Sequence, residues 1–166
     1  MTQTTSSTKP NTKTYSGGCH CGAVRFEADL DLSQPASRCN CSICQKTAVT
    51  SMGGKPDILR VTKGQELVGE YRVTPDSPNF RGFCKKCGIQ MFGRGDVPEI
   101  GGPFASVAIN CLDDVDLSTL TIGYWDGKHD NWFAGLRATP WPTSRREDPG
   151  TPMPPTPAPR KDEARA

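Results

Sequence analysis

Three thiols, Cys39, Cys41 and Cys44, crowd into the decapeptide SRCNCSICQK, a density that hydrophobic packing never requires. Two pairs, Cys19-x-Cys21 and Cys84-x-x-Cys87, supply four more of the eight cysteines, and Cys111 stands alone. Thiolates hold zinc at about 2.3 Å in a tetrahedron, and two cysteines two or three residues apart in a tight turn supply adjacent vertices. Gly22 and Gly88 follow their pairs directly, where the backbone must bend sharply around an ion. Each pair therefore reads as half a site. Cys19 and Cys21 joined to Cys84 and Cys87 would close a structural four-thiolate centre. Spacing equally admits Cys41-x-x-Cys44 with Cys84-x-x-Cys87, in the manner of a zinc ribbon.

Short strands are expected to carry these groups. In AVRFEADLDL, Val24, Phe26, Ala28, Leu30 and Leu32 alternate with polar residues, the period of a half-buried strand. ILRVTKGQELVGEYRV reads as strands near Ile58–Val61 and Leu67–Val73, joined as a hairpin through a turn at Gly64. FRGFCKKCGIQMFGRG places the knuckle CKKCG at the tip of two strands, and FASVAINCLDD adds another with Ala105, Val107 and Ile109 on one face. Seventeen glycines and fifteen prolines among these segments argue against long helices and for a mostly β, mainly antiparallel domain.

The 166 residues carry a formal net charge of +2, too little for a polyanion-binding surface. The carboxy-terminal RRED and PRKDEARA mix signs, so no nucleic-acid partner is expected. Residues 1–14 hold no apolar run suited to export and no segment approaches the roughly 20 apolar residues of a membrane span, which points to the cytoplasm and no membrane. Thiols are kept reduced there, so the cysteines read as metal-binding or catalytic rather than disulfide-bonded. Residues 1–14 and the proline-rich 143–166 read as disordered tails around one domain, 15–142.

GGCHCGAVRF at 17–26, CNCSICQK at 39–46, FCKKCG at 83–88 and NCLDDVD at 110–116 closely resemble the glutathione-dependent formaldehyde-activating enzyme family, to which the centromere protein V domain also belongs. The terminal WDGKHDNWFAGLRATPWP looks like one of its subgroup endings. The resemblance implies a β-tent fold with two zinc ions per chain. A structural zinc maps onto Cys19, Cys21, Cys84 and Cys87, and a second, working zinc onto Cys39, Cys41 and Cys44. It further implies a carbon-sulfur lyase that joins glutathione to formaldehyde as S-hydroxymethylglutathione. Asn40 departs from the pattern, since many relatives carry histidine there.

A zinc held by three thiolates keeps its fourth position for water or substrate. So much donated charge makes it a weak Lewis acid, which disfavours a hydrolase and suits activation of an incoming thiol. The rival reading closes the second site with Cys111, leaving a non-catalytic zinc module or a glutathione carrier with two structural zincs. Beyond the cysteines, Lys46 is a candidate for a glutathione carboxylate and His129 for orienting substrate or moving a proton. His20, between two ligands, is expected to point away from the metal. Trp125, Trp132 and Trp141 could wall a pocket, although packing on the sheet is the simpler expectation.

Overall fold

The computed structural model describes residues 11–98 and 101–143. Among these residues ten strands form two sheets. The smaller contains β1 (Lys13–Gly18), β2 (Arg25–Leu30) and β5 (Leu59–Lys63), with β2 in the centre. The larger runs in the order β10, β3, β4, β9, β8, β7, β6, from Ile122–Trp125, Ala36–Cys39, Ser51–Gly54, Gly102–Ala108, Gln90–Val97, Phe80–Cys84 and Val68–Arg72 respectively. All pairs are antiparallel except β10 with β3. The single α-helix among the described residues, α1 (Ser42–Thr47), is six residues long, and none is long and apolar enough to cross a membrane.

The period of two in β2 does what it predicts. Val24, Phe26, Ala28 and Leu30 are buried, and Leu32, past the strand end, is half-buried. Their core partners include Met91 and Phe92 of β8 and Ala105 and Val107 of β9, so the core lies between the two sheets. Phe26 meets Phe92 edge to face, with ring centroids 6.2 Å apart. The strand expected around FASVA ends at Ala108, and Ile109 is buried in the tight turn that follows.

The expected hairpin between β5 and β6 does not form. Gly64 does take the left-handed conformation, with φ of 73°. However, the turn Gln65–Leu67 sends the chain from one sheet to the other, so β5 pairs with β2 and β6 with β7. Alternation identifies a strand's buried face but not its neighbour, which is why two correctly placed strands were joined wrongly. At the amino terminus, β1 already begins at Lys13, inside the stretch read as a tail. The tail expectations for 1–10 and 144–166 fall outside the described residues.

Candidate metal centres and the adjoining cleft

Cys19 and Cys21 occupy the turn between β1 and β2, and Cys84 and Cys87 the turn between β7 and β8. Each turn is a knuckle closed by its own backbone. Gly22 N–H donates to Cys19 O (3.0 Å) and Gly88 N–H to Cys84 O (2.8 Å), both glycines at positive φ, 69° and 74°. Amides also turn toward sulfur: Val24 N–H lies 3.3 Å from Cys19 Sγ and Lys86 N–H 3.4 Å from Cys84 Sγ. The backbone N–H groups of Ile89 and Cys21 draw the Cys87 thiol down to about 6.

The four sulfurs lie within 4.8 Å of one another and could hold a metal ion. Cys19 Sγ is 3.6 Å from Cys21 Sγ, which is 3.8 Å from Cys84 Sγ. Thiolates on a tetrahedral zinc would stand about 3.8 Å apart, so the donor set and its spacing fit that ion. The chain thus brings the amino-terminal pair to Cys84 and Cys87, and the zinc-ribbon pairing with Cys41 and Cys44 does not occur. His20, between two of these cysteines, is exposed.

A second group, Cys39, Cys41 and Cys44, also has its sulfurs within 4.8 Å of one another. Cys39 ends β3, whose parallel register sets it beside Trp125 of β10. Cys41 is the extended residue before α1, and Cys44 follows three positions later, on the same face of the first turn. Hydrogen bonds from Cys39 and Cys44 pull the Cys41 thiol far below its usual range, while Cys39 and Cys41 push Cys44 far above it. Three sulfurs this close become anions together only around a cation. Cys111 joins neither group. Its buried Sγ is 3.5 Å from Gln90 O, and burial pushes its thiol up to about 11.

Behind the trio lies a network in which sequence reasoning named Asn40 and His129 but missed Asp126. Asp126 is only 3% exposed and accepts from Asn40 Nδ2 (2.7 Å), while His129 Nδ1 stands 2.6 Å from the same oxygen. Burial opposes its ionisation, yet hydrogen bonds from Asn40, His129 and Asn131 outweigh that and hold its carboxyl below the usual carboxylate range. Asn40 also accepts from Lys128 N–H (2.7 Å) and donates to Pro142 O (3.0 Å). The residue between Cys39 and Cys41 is thereby locked to the chain after β10. Gly127 completes the fit, because a Cβ there would fall 2.6 Å from Cys39 Sγ.

A cleft of about 330 Å³ opens beside the trio, with Cys39, Cys44, Arg38, Tyr124, Trp125 and Trp141 among its walls. Trp125 and Trp141 therefore do line a pocket, and Trp132 packs on Trp125 at 6.1 Å. Trp141 is held by its Nε1–H, which donates to Tyr124 O (3.0 Å), and by Arg137 stacked 4.1 Å from its ring centroid. Arg38 was not singled out from the sequence. Its Nε–H donates to Thr50 Oγ1 (2.8 Å). Lys46 is exposed on the last turn of α1, and His129 is half-buried with its Nε2 enclosed and unpartnered; the walls of the cleft are formed by other side chains.

Comparison with known proteins agrees with this geometry. The chain is 39% identical over 99 residues to a Halomonas elongata protein provisionally named glutathione-dependent formaldehyde-activating enzyme, a match covering 54% of this chain and 62% of that protein. Among solved structures, a Rhodobacter sphaeroides protein superposes with a TM-score of 0.55 at 28% identity, over 62% of this chain and 92% of the other. The profile described as glutathione-dependent formaldehyde-activating enzyme matches residues 14–126, a span that contains both sulfur groups, and the chain belongs to that family.

Proposed function

We propose that the protein is a carbon-sulfur lyase that joins glutathione to formaldehyde, or to a closely related small aldehyde, in a glutathione-rich compartment such as the cytoplasm. The observation that carries this reading is the trio of sulfurs opening onto a cleft of about 330 Å³ walled by Cys39 and Cys44. That volume is at the small end of ligand pockets and suits a tripeptide thiol. Two zinc ions per chain are proposed, one held by Cys19, Cys21, Cys84 and Cys87 and one by Cys39, Cys41 and Cys44. When bound, the second ion would supply acidification of an incoming thiol at neutral pH.

The chain's own residues do the rest. Tyr124, Trp125 and Trp141 give the cleft an aromatic wall that orders the peptide and sheds water. Arg38, on the wall, and Lys46, exposed two residues beyond Cys44, are the cations proposed for the two carboxylates of glutathione. His129 is proposed to act through Asp126, holding its carboxylate under Asn40 so that Cys39 and Cys41 keep their orientation.

The test is a measurement of glutathione consumption with formaldehyde present, against the uncatalysed reaction. Wild-type protein should accelerate the condensation and bind glutathione in calorimetry. Cys41→Ser should keep its fold and lose both. Normal turnover by Cys41→Ser would refute the reading.

A further inference from the structure

A second, smaller cavity of about 40 Å³ adjoins the cleft. Cys44 and Val49 belong to both walls, so the two spaces meet at a residue of the trio. Its other walls include Arg81, Gln90, Ser51 and Ser106. The polar groups are arranged by sheet register. Arg81 of β7 pairs with Gly93 of β8, which pairs with Ser106 of β9. Because the middle residue has no side chain, the row has a gap. A Cβ on Gly93 would lie 3.0 Å from Ser106 Oγ and 3.1 Å from Arg81 Nη1, so both donors lean over the same bare backbone. Arg81 is half-buried, and its guanidinium makes no hydrogen bond or ion pair among the described residues. A guanidinium set in a cavity without a carboxylate is a charge waiting for an anionic or strongly dipolar oxygen.

A condensation of two substrates needs two adjoining spaces matched to their sizes. The cleft suits the thiol; the smaller cavity, with room for only a few waters, suits a one-carbon or two-carbon carbonyl compound. Resting on the reaction proposed above, we infer that this cavity receives the aldehyde and that Arg81, with Ser106, donates to its carbonyl oxygen. The thiolate sulfur gives an electron pair to the carbonyl carbon. A carbon-sulfur bond forms, the carbonyl π bond breaks, and its pair passes to oxygen. Arg81 faces the oxygen where this negative charge develops, and the oxygen then takes up, through solvent, the proton the thiol had lost. Nothing is oxidised or reduced, and the product is thiol plus aldehyde.

Formate, a planar one-carbon oxyanion, is the probe, with its binding followed by carbon-13 line broadening on the zinc-loaded protein. Arg81→Met should keep two zinc ions and bind glutathione within about threefold of wild type, while formate affinity falls about 10- to 100-fold and the KM for formaldehyde rises in parallel. Arg81→Lys should recover part of both. Gly93→Ala, which keeps the guanidinium but fills the gap and crowds both donors, should also weaken formate. Wild-type protein should prefer formaldehyde over propionaldehyde in kcat/KM by about tenfold or more. Unchanged formate affinity in both Arg81→Met and Gly93→Ala would overturn the subsite, as would equal use of the two aldehydes. The formate measurement needs no turnover, so failure of the subsite and failure of the proposed reaction are read separately.

Discussion

Asp126 carries its charge at 3% exposure because three side chains converge on one carboxylate. Its folded pKa is depressed, so its contribution is complete above the ordinary value of 3.8 and is lost as pH falls through the lower folded value. Asp126→Asn should cost about 1 to 3 kcal/mol at pH 6, as expected for a lost charge-assisted hydrogen bond. In chemical denaturation the gap between wild type and variant should narrow below pH 3.8. Acid also strips metal from thiolates, but that loss is common to both proteins and leaves the difference interpretable. The cysteine clusters at this scale were legible from spacing and their grouping from the family resemblance, whereas Asp126 was legible from neither. An aspartate before glycine reads as a turn former, and its partner Asn40 is 86 positions away. Only the parallel pairing of β10 with β3 puts the two together. Cys111 illustrates the same point in reverse. An unpaired cysteine near a three-thiol motif invites use as a fourth ligand, but β9 delivers it to Gln90 instead.

At the scale of elements, the knuckles matter most, because each caps a different sheet. Cys19 and Cys21 extend from β1 and β2, Cys84 and Cys87 from β7 and β8, so the four-sulfur centre clasps the two sheets at one end of the shared core. Cys84→Ser should therefore lower Tm far more than Cys41→Ser, whose group is confined to β3 and α1 of the larger sheet. Differential scanning calorimetry of both variants checks the order. Strands and knuckles were visible in the sequence through period-two burial and Cys-x-x-Cys-Gly. Their partners were not, since pairing is decided by what lies across the core, and β5 and β6 show how a correct turn glycine can link two sheets rather than two strands. At that link a Cβ on Gly64 would come within 2.2 Å of Ala23 O at a φ of 73°. Gly64→Ala should destabilise by more than about 1 kcal/mol, measurable by urea denaturation.

For the whole molecule, the two sulfur groups divide the labour: one joins the sheets, the other opens on a cleft beside a guanidinium-lined recess. Metal removal should reflect that division. Graded chelation should first abolish glutathione binding and only later unfold the protein, followed by circular dichroism alongside zinc analysis. The central claim is that one ion has four protein sulfurs and the other three. X-ray absorption at the zinc edge of the fully loaded protein tests it most directly. Two zinc ions should share a mean of about 3.5 sulfurs, rising toward about 4 when glutathione is added. A mean of about 4 sulfurs before addition, unmoved by glutathione, would contradict it.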